Sequence, residues 1–217
     1  MPLPLIGLLG GTFDPIHAGH LALAHAACDG LSLSELLLIP AAQPWQKGAI
    51  TDGVHRARMV ELAIAADPRL RLERCELERG GPSFTIDTLR ELRARFGADA
   101  PLVLIIGADQ MQRFDTWRDW QSILQFSHLG VARRNDAVLV LSYTLQAFYN
   151  QHWARADQAG TRAAGCVVEV EMVPHDVSAT EVRTLLGAQP SPARDARLAQ
   201  TVPAPVLDYI RTHHLYT

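Results

Sequence analysis

Leu5-Ile6-Gly7-Leu8-Leu9-Gly10-Gly11-Thr12-Phe13-Asp14-Pro15-Ile16-His17-Ala18-Gly19-His20 is the stretch that decides how this chain folds. Its first five residues are a short apolar run of the kind buried strands show, and two glycines stop it. Glycine lets the backbone turn tightly and lets a ligand come close. His20 to Cys28, rich in Ala and Leu, reads as the helix that follows. His17 and His20 lie three residues apart where that helix begins, so they can point to one side. Two imidazoles beside the N–H groups of a helix N-terminus make an anion site. The ordinary reading is a Gly-rich turn with incidental histidines, but the whole string after a buried strand argues against it. It is not a Walker A loop, since no Gly-Lys-Ser/Thr follows, and it is not a GxGxxG fingerprint.

Outward from this point, strand and helix patterns alternate. Residues 35–39 read as a strand stopped by Pro40, and residues 54–66 as an amphipathic helix. Residues 70–77 alternate apolar and polar, which suits a strand with one wet face. Residues 83–96 read as a helix started by Pro82-Ser83 and stopped by Gly97. Leu102-Val103-Leu104-Ile105-Ile106 is the strongest strand pattern in the chain. Residues 117–126 read as helix, 128–132 as strand, 143–156 as helix, 157–165 as a surface loop and 166–173 as strand. Residues 179–186 form a helix closed by Gly187, 190–205 are loop-like, and 206–213 make a last short helix. This order predicts an α/β fold, a Rossmann-like doubly wound parallel sheet flanked by helices, with a small C-terminal helical segment. Residues 1–217 are expected to form one domain, since no linker divides them. Ligands bind such sheets at the carboxyl ends of the strands, where strand order reverses. The loops after Leu9, Ile39, Ile106 and Ala132 are therefore the ones to inspect.

Composition narrows the function classes. With 48% hydrophobic and 20% charged residues among 217, the chain is globular rather than disordered. Twenty Lys and Arg against 23 Asp and Glu leave a net charge of −3, which argues against a dedicated nucleic-acid binder. Cys28, Cys75 and Cys166 lie far apart with no CxxC or Cys/His metal spacing, so they read as small core residues in a reducing compartment. The first residues carry no basic segment or cleavage pattern, and no run of about 20 apolar residues occurs, so no membrane partner is expected and the location expected is cytoplasmic.

Four further segments have physical readings of their own. Ser178 and Thr180 stand where a helix begins, where hydroxyls and N–H groups serve either a cap or a phosphate. Arg183 falls early on that helix, where a purely structural cation faces an unfavourable dipole and a polyphosphate would reverse the sign. Asp109, just after the central strand, is placed either to cap a helix or to accept ribose hydroxyls. Trp117 and Trp120, three apart, are at a spacing more often used for core than for ligands. Arg133 and Arg134 follow a strand and read as a solvated basic pair.

Taken in order, five segments resemble the nucleotidylyltransferase superfamily, and most nearly its bacterial nicotinate-mononucleotide adenylyltransferases, over nearly the whole chain. His17-Ala18-Gly19-His20 resembles the family's (T/H)xGH loop, and Pro82-Ser83-Phe84-Thr85 its PSYT segment. Ile105-Ile106-Gly107-Ala108-Asp109 resembles IIGxD, Phe114-Asp115-Thr116-Trp117 resembles FxxW, and Val177-Ser178-Ala179-Thr180-Glu181-Val182-Arg183 resembles ISATxIR. Any one tetrapeptide is weak, but five in order are strong.

The resemblance implies adenylyl transfer from ATP to nicotinate mononucleotide, giving deamido-NAD and pyrophosphate. It implies that His17, His20, Lys47 and Arg183 carry the catalysis. ATP would be held by Gly11, Thr12, Phe13, His17, Gly19, His20, Gly107, Asp109, Arg133, Ser178, Thr180 and Arg183. The mononucleotide would be held by Asp14, Ser83, Phe84 and Thr85, with Trp117 stacking on its ring and Trp120 left to packing. Mg²⁺ is expected on the ATP phosphates, with no protein ligand assigned. Two segments depart from the family. Gln43-Pro44-Trp45-Gln46-Lys47 keeps the cation but has Gln46 at the usual histidine, and Arg133-Arg134-Asn135-Asp136 stands where Arg-Pro-Gly is common. The remaining histidines, 25, 55, 128, 152, 175, 213 and 214, have no motif and read as surface or satisfied core residues. The rival readings are a sister enzyme, a phosphopantetheine adenylyltransferase or a cytidylyltransferase, and a nucleotide-binding module without turnover.

Overall fold

The computed structural model describes residues 4–44, 50–133, 139–173 and 175–216. In chain order the strands are β1 (Ile6–Gly11), β2 (Glu35–Pro40), β3 (Gln43–Pro44), β4 (Leu70–Leu72), β5 (Pro82–Ser83), β6 (Leu102–Gly107), β7 (His128–Arg133) and β8 (Val167–Glu171). The helices are α1 (Ala18–Gly30), α2 (Gly53–Ile64), α3 (Cys75–Arg79), α4 (Thr85–Phe96), α5 (Ala108–Met111), α6 (Tyr143–His152), α7 (Ala179–Gly187), α8 (Pro192–Thr201) and α9 (Ala204–Thr212).

Six strands make one parallel sheet in the order β4-β2-β1-β6-β7-β8, and β3 pairs with β5 apart from it. The chain builds outward through β1, β2 and β4, then returns to place β6 on the other side of β1 and builds outward again. The reversal falls between β1 and β6, which makes their carboxyl ends the switch point where ligands bind. The two strands pair from Ile6↔Leu102 to Leu8↔Leu104. Past that point Leu9–Gly11 and Ile105–Gly107 no longer pair with each other, and a crevice opens.

Alternation along each strand sends side chains to two cores. Leu9, Val103, Ile105, Val168 and Val170 face Ala24, Met59, Val60, Val182, Leu198 and Ile210 of one helical layer. Ile6, Leu8, Leu102, Leu104 and Ile106 face Ile86, Leu89 and Leu92 of α4 and Leu145 of α6 on the other. Helices therefore cover both faces, the doubly wound arrangement expected.

Several element assignments change. Residues 70–77 are not one strand. β4 is an edge strand that ends at Leu72, and Glu73 Oε1 accepts from the Cys75 N–H at 2.9 Å, starting the short α3 that buries Cys75 and Glu76. Residues 190–205 are not a loop but hold α8. Ser191 caps it by accepting from the Arg194 N–H at 3.3 Å, and Pro192 occupies the first turn, where its missing N–H is no loss. Trp117 is not helical: it ends the 3-10 turn Phe114–Thr116 in extended conformation, and a second 3-10 turn, Trp120–Gln125, follows. Helix α4 starts at Thr85, because Pro82 and Ser83 are engaged as β5. The predicted 143–156 helix stops at His152, and residues 157–165 include most of the 3-10 turn Ala156–Thr161, anchored by buried Ala159.

His128 is fully buried on β7. The Cys166 N–H donates to its Nδ1 at 3.0 Å, so Nε2 carries the proton and meets the Arg162 carbonyl at 2.8 Å. Burial holds its pKa below the ordinary histidine value. The unfolded chain takes up a proton below about pH 6.5, and the folded chain refuses it. The stability this group contributes is therefore full above about pH 6.5 and is lost as pH falls toward the folded value. Urea unfolding at pH 7.5 and 5.5 is expected to show a larger loss of stability for the wild type than for His128→Asn. An equal loss in both would remove His128 from the account.

Candidate active site

The site grows from the β1–α1 connection. Gly11 lies flat against the Phe13 ring, and a Cβ there would come within 2.8 Å of it. Phe13 itself turns the chain with φ 51°, a left-handed conformation, and is buried. Gly11 and Thr12, before this turn, line one cavity, and Asp14 and His17, after it, line another. His17 is the N-cap of α1, and its N–H donates to His20 Nδ1 at 3.3 Å. The two rings stack with centroids 3.8 Å apart, and Phe13 meets His20 edge-on at 5.0 Å. Neutral His20 thus carries its proton on Nε2. The first turn of α1 holds no acidic residue, so its positive end is not offset there.

The first cavity, about 380 Å³, lies in the crevice between β1 and β6. Gly11, Thr12 and His20 line it from one side, Gly107 and Asp109 from the other, and Ser83, Phe84, Thr85 and Trp117 close its end. Ser83 is held there by the Ala42 N–H, which donates to its hydroxyl at 2.8 Å. The second cavity, about 690 Å³, is lined by Asp14, His17, Gly19, His20, Asp109, Ser178, Thr180 and Arg183. His20 and Asp109 belong to both cavities, so the two meet at that point.

Arg183 reaches across from α7, donating to the Asp14 carbonyl at 2.7 Å and to Thr180 Oγ1 at 3.3 Å. Ser178 is the N-cap of α7, accepting from the Glu181 N–H at 3.1 Å. Asp109 is not a cap, since Gly107 holds that position in α5. The Asp109 carboxylate lies over Gly107, where a Cβ would come within 2.5 Å of it.

Most sequence-predicted residues are thus brought together, with exceptions. Gly11, Thr12 and Gly107, expected on ATP, line the first cavity, and Asp14, expected on the mononucleotide, lines the second. The turn at Phe13 separates Gly11 and Thr12 from Asp14. Phe13 itself is buried under the loop and offers a ligand no side-chain surface. Arg133 lines neither cavity. It pairs with Glu169 at 2.8 Å, a contact that raises its pKa, and Tyr149 donates to the same carboxylate oxygen at 2.7 Å. Lys47, Gln46 and Arg134 lie outside the described residues.

Sequence reading missed four residues of this neighbourhood. Arg56 is buried beneath the loops and donates to the carbonyls of Thr51 (2.7 Å), Thr12 (2.8 Å) and Ala42 (3.4 Å). A signal existed: Arg56 precedes Met59 and Val60 by three and four, on the apolar face of α2. Glu76, nearly buried, lines the first cavity and accepts from the Thr88 hydroxyl at 2.7 Å. Arg118 lines the same cavity, 4.9 Å over the Phe84 ring and 3.5 Å from the Asp87 carboxylate. His175 lines the second cavity. Among the described residues no group of three metal-ligating side chains forms, and no helix is long and apolar enough to cross a membrane.

Comparison with known proteins adds an independent line. The cytidylyltransferase-like family model matches residues 8–185. A Bordetella petrii protein named as a probable nicotinate-nucleotide adenylyltransferase is 42% identical over 97% of this chain and 98% of its own length. A Chromobacterium violaceum protein of the same name is 38% identical, covering 97% and 98%. Among solved structures, the Plasmodium falciparum nicotinic acid mononucleotide adenylyltransferase complexed with NaAD superposes with a TM-score of 0.75. It is 15% identical and covers 98% of this chain and 97% of that one.

Proposed function

Because the chain belongs to the cytidylyltransferase-like family and, within it, to the nicotinate-nucleotide adenylyltransferases, we propose the following account of what its two cavities do. The protein is an adenylyltransferase of NAD biosynthesis. It joins nicotinate mononucleotide to the adenylyl group of ATP and releases pyrophosphate. Neither the pantetheine nor the cytidylyl sister activity matches the names of its full-length relatives. The observation that carries the reading is the meeting of the two cavities at His20.

The mononucleotide lies in the first cavity with its ring against Trp117, and ATP in the second with its phosphates toward His17, Thr180 and Arg183. An oxygen of the mononucleotide 5′-phosphate attacks the α-phosphorus in line. The new P–O bond forms as the bond from that phosphorus to the α,β-bridging oxygen breaks, and pyrophosphate takes the electron pair. The attacking phosphate is already ionised near pH 7, so no general base is needed, and catalysis is positioning plus charge stabilisation. His17 and His20 hold the α-phosphate oxygens as charge develops. Arg183 holds the outer phosphates, a role in which Lys47 joins it. Mg²⁺ belongs to the ATP substrate in this reading and would add its charge to that of Arg183 at the phosphates.

Residues 1–217 act as one domain in this reading, supported by the packing of α7, α8 and α9 into the same core as the sheet. A cytoplasmic location fits three buried cysteines that form no disulfide, two of them, Cys28 and Cys75, pushed by burial up to about 11 and about 12.

Selectivity for the acid over the amide follows from α4. Phe84 is its N-cap and no side chain caps it, and Phe84 and Thr85 line the cavity end, so the first N–H groups are placed to serve a ligand there. Such a terminus favours an anion by about 0.3–1 kcal/mol when exposed and up to about 2 when partly buried. Charge-assisted hydrogen bonds add to this. An activity panel of mononucleotides with ATP is expected to show at least about tenfold higher kcat/KM for nicotinate mononucleotide than for its amide, equivalent to about 1.4 kcal/mol. Thr85 is the first helical residue, where proline is tolerated, so Thr85→Pro should erode the preference by removing one N–H. Trp117→Ala should weaken both substrates alike. Equal use of acid and amide by the wild type would overturn this reading.

A further inference from the structure

Tyr216 follows α9, and its hydroxyl donates to Asp14 Oδ1 at 2.6 Å across a separation of 202 residues. Asp14 is 5% exposed, and its other carboxylate oxygen accepts from the Thr51 N–H at 3.4 Å. Its backbone carbonyl is the acceptor for Arg183. Asp14 thus ties together the segment after α9, the approach to α2 and the first turns of α7. The segment after α9 is itself held in an uncommon shape. His214 and Tyr216 have φ of 49° and 63°, left-handed values that non-glycine residues keep only where surrounding contacts over-determine them. Leu215 and Tyr216 pack on the core shared by the sheet and α7–α9. Burial, and next the bond to Asp14, raise the Tyr216 phenol well above its ordinary value, so the hydroxyl stays a donor throughout the neutral range.

We propose that Tyr216 is a positioning residue for adenylyl transfer: its hydroxyl fixes Asp14, and through Asp14 sets the turn that leads to His17 and the reach of Arg183 into the second cavity. Tyr216 lines neither cavity, so it acts only through these neighbours. The proposal rests on the adenylyl-transfer reading of the site. It also divides the effect between substrates, because Asp14 and Arg183 line the second cavity and not the first.

Tyr216→Phe keeps the ring and removes only the hydrogen bond. Steady-state kinetics are expected to show kcat down about tenfold, the scale of a lost hydrogen bond to a charged group. KM for ATP should rise severalfold, while KM for the mononucleotide stays within about twofold of wild type. Asp14→Asn, which keeps an acceptor for the hydroxyl, should retain more activity than Asp14→Ala. In the Tyr216→Phe background that advantage should shrink, since coupled neighbours are not additive and only the weaker Thr51 N–H bond is left to it. A Tyr216→Phe enzyme that melts earlier but keeps kcat and both KM values would overturn the proposal, as would an undiminished advantage of Asn over Ala. His20→Ala, assayed in parallel, separates the two levels. Full turnover in that variant would sink the adenylyl-transfer reading itself, whereas a dead His20→Ala beside a normal Tyr216→Phe would sink only the role of Tyr216.

Discussion

His20→Ala is expected to turn over at least on the order of 10²-fold more slowly than wild type at saturating ATP and mononucleotide, with His17→Ala close behind. His20 is the side chain that both cavities share at the end of the β1–β6 crevice. Its Nδ1 accepts from the His17 N–H, which fixes the ring and leaves the proton on Nε2. A donor fixed in place before charge develops needs no reorganisation during the reaction, and losing one such donor usually costs 10²–10³ in kcat, roughly 2.7–4 kcal/mol. The fold should survive. Removing the half-buried ring opens no large apolar cavity, and the lost contact at the start of α1 is a capping-scale loss of about 1 kcal/mol. The decisive pair of measurements is kcat and a thermal melt. Wild-type turnover would remove the histidine from the chemistry, while a collapsed melt would make the rate uninterpretable and shift the test to His17→Ala.

Arg56→Met is expected to be the most destabilising conservative change in the neighbourhood. Arg56 is 1% exposed, and burial lowers its pKa, yet its ordinary value is so high that it stays charged. The carboxylate of Asp14 is the largest electrostatic influence opposing that shift. Methionine fills much of the space but leaves the carbonyls of Thr51 and Thr12 without their short hydrogen bonds. Each buried acceptor left unpaired costs about 1–3 kcal/mol, so the pair amounts to about 4 kcal/mol. In a chain of this size that corresponds to a fall in Tm of about 8–16 °C. Arg56→Lys should recover little, since one ammonium cannot reproduce the planar fork that serves several carbonyls at once. Calorimetry decides it: a Tm within about 2 °C of wild type would show that water replaces the guanidinium at no loss.

The parts of the fold written in local periodicity were legible before any coordinates. The runs ending at Leu9, Ile39 and Ile106 are buried on both faces by helices, so they are continuous rather than alternating, and they stand out. The loop from Gly10 to His20 was legible as a site because its residue types are costly to place together for any structural purpose. What failed was context. Residues 190–205 look loop-like for their prolines, yet Ser191-Pro192 is the cap and first turn of α8. Leu77 is out of phase with Leu70 and Leu72, an odd number of residues away, because it stands on α3 and not on the strand. Trp117 matched a helical spacing with Trp120, yet its backbone is extended. Arg56 and Tyr216 failed for a different reason. The bonds of Arg56 run to carbonyls, which every residue has, and the partner of Tyr216 is brought to it only by the topology of the sheet.

The junction of the two cavities at His20 and Asp109 has a consequence for the order of events after chemistry. On the proposed reading each substrate occupies one compartment and leaves independently. The dinucleotide product would span both and behave as a bivalent ligand whose halves hold each other at high effective concentration. Either half can detach and rebind before the other lets go. Pyrophosphate, anchored in one compartment alone, would have no such tether and is expected to depart first. The reverse reaction would then wait on pyrophosphate from solution, with turnover set by how fast a two-handed grip is released.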